Sequence, residues 1–134
     1  MGTFDRVTFT FRNPQPVIVR AEYVNPPVLA DPSGQPVPVA GNAVLQLVMS
    51  NASGVDLSTD PPTDTYTGPT RIEANLPNVV EVVETGDFES VLSWAIGVRS
   101  GAGGATAQVL ANPTRVVVDI PHVAVVVANP NFTG

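Results

Sequence analysis

The sequence predicts an all-β fold, a single-domain β-sandwich of about eight or nine short strands. Three observations lead there. Val far outnumbers Leu, and β-branched side chains suit a pleated surface. The 14 Pro and 11 Gly cut the chain into short pieces. Several of those pieces alternate apolar and polar residues with the period of two that a half-buried strand requires. A closed barrel would satisfy the same pattern. The 134 residues suit one domain spanning the whole chain, with a core over residues 4–128.

The first strand is FDRVTFTFR, in which Val7, Phe9 and Phe11 share one face and Arg6, Thr8, Thr10 and Arg12 the other. NPQP ends it, because Pro cannot donate to a ladder. VIVRAEYV follows, with Val17, Val19, Ala21 and Tyr23 on one side. A long Pro- and Gly-rich connection with turn chemistry at DPSG leads to the strand AVLQLVMS. Residues 50–69 form a long polar loop, and TRIEANL reads as a short edge strand. In VLSWAIGV, Leu92, Trp94, Ile96 and Val98 face one way, and the mostly smaller Val91, Ser93, Ala95 and Gly97 face the other. ETGDF is expected to be the hairpin turn before it. The Val-rich run Val79–Val83 could be a helix by spacing, but its β-branched content favours a strand. ATAQVLA, TRVVVDI and HVAVVVA complete the set.

The net charge is −6, from six Arg, twelve acids and no Lys. That sign opposes phosphate backbones and polybasic membrane contact, so no nucleic-acid partner is expected. Without Cys there is no disulfide or thiolate chemistry. Without Lys there is neither a Schiff base nor a P-loop. No apolar run approaches the length of a membrane-spanning helix. The opening MGTFDRVTF has neither the basic end nor the apolar stretch of a signal peptide, which suggests a domain cut free of whatever preceded it.

Asp119 and the lone His122 could serve as an acid and base, with Ser90 or Ser93 as nucleophile. No G-x-S-x-G elbow supports this small-hydrolase reading. The alternation of TRVVVDI instead puts Asp119 opposite Val116, Val118 and Ile120. Arg115 and Asp119 stand roughly 13 Å apart at the strand rise, so each is expected to pair across the sheet or with backbone. One His and no Cys make no zinc site. Asp56, Asp60 and Asp64 recur in the polar loop without the alternate acids and central Gly of an EF-hand, and read as solvating residues. Neither a metal nor a cofactor is expected.

The segments FDRVTFTF, VRAEYVNPP, AGNAVLQLVMS, EVVETGDFESVLSWAIGV and NPTRVVVDIPH occur in that order and cover nearly the whole chain. In this order they resemble the AMIN-like domain of actinobacterial secreted proteins and lipoproteins, a relative of the AMIN domain. The resemblance implies a β-sandwich outside the cytoplasm, in the cell envelope. It further implies a non-catalytic binding or targeting module that contacts a cell-wall polymer, peptidoglycan among them. A structural or protein–protein interaction domain of an envelope protein is the alternative.

An acidic chain cannot bind an acidic wall by bulk charge, so local groups must carry any such contact. The polar face of the first strand supplies Arg6, Thr8, Thr10 and Arg12, and Arg115 lies near the chain's other end. Guanidinium forks hold carboxylates bidentately. Tyr66, on the polar loop, is the expected aromatic surface contact, whereas Trp94 belongs to the core.

Overall fold

A computed structural model describes residues 3–12, 16–56 and 59–122. Twelve strands are present among them: β1 (Phe4–Thr10), β2 (Ile18–Val24), β3 (Val28–Leu29), β4 (Pro36–Val37), β5 (Ala43–Ser50), β6 (Val55–Asp56), β7 (Thr63–Asp64), β8 (Arg71–Glu73), β9 (Val79–Phe88), β10 (Val91–Val98), β11 (Thr106–Leu110) and β12 (Arg115–Pro121). Four of the twelve are two-residue ribbon strands, which the alternation could not register. The expected HVAVVVA strand, and with it the end of the 4–128 core, lies beyond His122 and so outside the described residues.

Two sheets face each other. One has the order β1-β12-β11 and the other β2-β5-β10-β9-β8. Their inner faces interdigitate into one core: Phe11, Val116, Val118 and Ile120 from the first, Leu45, Leu47, Met49, Trp94 and Ile96 from the second. Val19, Ala21 and Tyr23 pack against it from β2, on the side that alternation assigns. The β2 and β11 edges close one flank, where the Tyr23 hydroxyl donates to the Gly104 carbonyl at 3.2 Å. The β1 and β8 edges form the opposite flank.

The Pro-rich connection is not an open loop. It forms the β3–β4 ribbon and crosses the outer face of the larger sheet. There Val28 packs with Val44 and Ala95 in a second small cluster. The Ala40 amide donates to Glu81 Oε1 at 2.9 Å, and the Asp31 amide donates to the Thr85 carbonyl at 2.9 Å. A methyl group at Gly97 would overlap the Ala40 carbonyl. The small side of β10 is therefore small because a second chain segment lies directly on it.

The turn before β10 departs from expectation. ETGDF belongs to β9, and the reversal occurs at Glu89 and Ser90, with Phe88 opposite Val91. Both turn residues are left-handed, at φ 53° and 63°. That is the geometry of a two-residue hairpin turn, here built without Gly or Asn. Gly86 serves close approach instead: a Cβ there would meet the Asp31 carbonyl oxygen at 2.7 Å. The polar loop over residues 50–69 also carries structure, namely the end of β5 and the β6–β7 ribbon.

Candidate functional site

Alternation along β1 sends Val7, Phe9 and Phe11 inward and leaves Arg6, Thr8, Thr10 and Arg12 exposed. The same phase sends Asp5 inward, and sequence reasoning had passed over it. Asp5 is 6% exposed. Its Oδ2 accepts the backbone N–H groups of Asn78 at 2.7 Å and Val79 at 2.8 Å, and its Oδ1 meets His122 Nε2 at 2.7 Å. Burial pushes this carboxyl upward. The Val79, His122 and Asn78 hydrogen bonds and the imidazole outweigh it, so the group lies below its ordinary range. The signal was available: an acid in phase with Val7 and Phe9 must be satisfied inside.

His122 is thus tied to Asp5, and Asp119 is tied elsewhere. Arg6 forks onto Asp119, with Nε to Oδ1 at 2.8 Å and Nη2 to Oδ2 at 3.0 Å. This directly opposed cross-strand pair holds Asp119 below the usual carboxylate range. Neither candidate serine reaches His122. Asp5 anchors the imidazole near Val79, whose ladder partner is Val98. Ser93 lies roughly 16 Å along β10 from Val98, and Ser90 lies beyond it. Arg115 closes the β11–β12 turn by donating to the Ala111 and Pro113 carbonyls at 3.0 and 2.9 Å.

At the open flank a cleft of about 410 Å³ runs between β1 and β8. Trp94 and Leu92 form its floor, Ile72 and Leu76 line the β8 side, and Tyr66 lies at one end. The Phe9 and Trp94 ring centroids are 5.5 Å apart and tilted by 55°. Tyr66 meets Trp94 edge-on at 5.9 Å, and its hydroxyl donates to the Pro69 carbonyl. Such edge contacts contribute roughly 0.5–1.5 kcal/mol each beyond burial. The expectation of a core Trp94 holds: it is 4% exposed and packs with Phe9 and Phe11. It is also the cleft floor, which alternation alone could not reveal.

Arg6, Thr8, Thr10, Arg12 and Tyr66 all line this cleft, whereas Arg115 does not. Within it, Arg6 is occupied by Asp119 and stacks over the Phe4 ring at 5.4 Å. Arg12 makes no ion pair among the described residues. Glu84, the cleft's carboxyl, is pushed up by burial and then by the Asp87 charge. Asp56, Asp60 and Asp64 do not converge: Asp56 stands opposite Thr63 on the ribbon and Asp64 opposite Val55. Among the described residues no three His, Asp or Glu side chains are placed to hold a metal ion.

These features define a small β-sandwich with an aromatic-floored cleft along one open sheet edge. The AMIN-like domain model matches residues 2–122, and the chain belongs to the AMIN-like domain family. No curated protein and no solved structure matches it.

Proposed function

We propose that this chain is a non-catalytic binding module of the cell envelope, working outside the cytoplasm, with the β1–β8 cleft as its ligand site. Membership of the AMIN-like family supports the envelope assignment. The cleft carries the reading. Its roughly 410 Å³ falls within the range of ligand pockets, and it pairs an apolar aromatic floor with a hydrogen-bonding rim. Tyr66, 41% exposed, is the cleft aromatic that a sugar face can reach, and Arg12 offers a guanidinium to a carboxylate. Peptidoglycan supplies both chemistries and is the proposed wall ligand. A non-catalytic role is favoured because the Asp5–His122 pair is spent on two backbone amides and lies far from Ser90 and Ser93. A second reading, a protein–protein interaction domain, is favoured by the position of β1 at the edge of its sheet.

Co-sedimentation with purified sacculi tests the first reading, with the parent compared against Arg12→Gln/Tyr66→Ala. The parent is expected to pellet, and the double variant, folded but melting somewhat lower for the lost Tyr66–Trp94 contact, to stay in solution. Equal pelleting would eliminate the cleft. Failure of the parent to pellet would eliminate direct wall binding.

A further inference from the structure

We infer that β1 is a docking edge for an extended peptide segment of a partner protein, which adds to the smaller sheet as a fourth strand over the cleft. This rests on the second reading above, a protein–protein interaction domain, with the β1–β8 cleft as its site. The backbone of β1 carries the argument. Two bonds bracket its ladder with β12: His122 N–H to the Thr3 carbonyl and Phe11 N–H to the Thr114 carbonyl, both 2.9 Å. Between them the register runs without a shift from Phe4↔Pro121 to Thr10↔Arg115. Hydrogen-bonded and non-bonded pairs alternate in an antiparallel ladder. The odd-numbered residues therefore bond β12, and Phe4, Arg6, Thr8 and Thr10 turn their N–H and C=O groups to the open edge. No strand pairs with that edge among the described residues.

Among the described residues the sheets are also unequal, three strands against five. Phe9 of β1 touches Trp94 of β10, and Asp5 bonds the start of β9, so β8 projects beyond β1. Ile72 and Leu76 on that overhang are 39% and 37% exposed. A strand added beside β1, about 4.8 Å away, would lie opposite them and send alternate side chains toward Trp94. Edges that must stay solitary are usually blunted by Pro, a bulge or unpaired charges; β1 has neither Pro nor a bulge, and its two charges are already committed, Asp5 to the Asn78 and Val79 amides and Arg6 to Asp119.

The occupant is a single strand rather than a second copy. Edge-to-edge pairing of two whole sandwiches would drive one projecting β8 against the other, whereas a lone strand fits beneath the overhang. It presents apolar residues at alternate positions, as in other strand additions. Arg12, at one end of the edge and without an ion pair among the described residues, selects an acid there.

The test is to pan a displayed random ten-residue peptide library against the full chain and to synthesise the most enriched peptide. Expected are alternating apolar positions with a terminal acid. Bound peptide should slow amide hydrogen exchange at Arg6, Thr8 and Thr10 at least tenfold and leave Val7 and Phe9 unchanged. Thr8→Pro removes an edge donor that the fold does not use, and should weaken binding at least tenfold while Trp94 emission stays native. Should Thr8→Pro misfold, N-methylation of alternate peptide amides must produce the same loss with the parent protein. No enrichment over an unrelated target, protection elsewhere, or full binding by folded Thr8→Pro overturns the inference. A parent chain that pellets with sacculi but enriches no peptide would leave the cleft to the wall ligand and overturn the strand.

Discussion

Asp5→Ala is the sharpest test of how the smaller sheet is held to the larger. Removing the carboxylate strands the Asn78 and Val79 N–H groups in a buried site, and takes the partner from His122. Each orphaned buried donor costs roughly 1–3 kcal/mol, so the two backbone groups alone cost about 2–6 kcal/mol. The stability of a domain is about 5–15 kcal/mol, so the variant is expected to be marginal. With a urea slope of about 2 kcal/mol per molar, the midpoint should fall by roughly 1–3 M. Trp94, the single tryptophan, reports the transition.

The pH dependence carries a second signature. The Asp5 carboxyl lies below its ordinary value of 3.8 when folded, so the unfolded chain binds more protons in acid. Its contribution is full above that ordinary value and is lost as pH falls toward the lower folded value. Asp5→Asn keeps the shape and should lack this acid-sensitive component. A midpoint shift in Asp5→Ala smaller than about 0.5 M, equal to about 1 kcal/mol on the same slope, would refute the reasoning. It would mean that water satisfies the two amides.

Trp94→Ala should cost roughly 3–5 kcal/mol, and native Trp94 emission should be blue-shifted until unfolding; a solvent-like native maximum would count against a buried floor. Gly97→Ala should destabilise by roughly 1–3 kcal/mol, because the Ala40 segment must lift and weaken its bond to Glu81; an unchanged melting temperature would show that the connection is not seated there. Glu84 is raised above its ordinary 4.5, so its cost to stability grows as pH rises above that ordinary value and is complete above the folded one. Glu84→Gln should therefore be the more stable form at pH 7, with the difference shrinking as pH falls toward the ordinary value; paired thermal melts across pH test this. Millimolar Ca²⁺ should leave the melting temperature unchanged, and a rise of several degrees abolished by Asp60→Asn would reveal a cation site.

Period-two patterning determined the longer strands and their inward faces, because a side chain on a pleated strand has only two directions; the two-residue ribbon strands are too short to show it. The faces of β1, β2, β10 and β12 follow from it directly, and so does the burial of Trp94. Partners were not legible, since pairing joins residues far apart in sequence. Asp119 finds Arg6 and His122 finds Asp5 only because β12 lies antiparallel to β1. The turn was misplaced because Gly86 resembles a turn glycine, yet it serves the approach of Asp31, while Glu89 and Ser90 adopt left-handed backbones that their identities do not advertise. Tertiary structure alone decided the cleft: a three-stranded sheet set against a five-stranded one leaves β1 and β8 unequally extended, and the space between them is fixed by strand order.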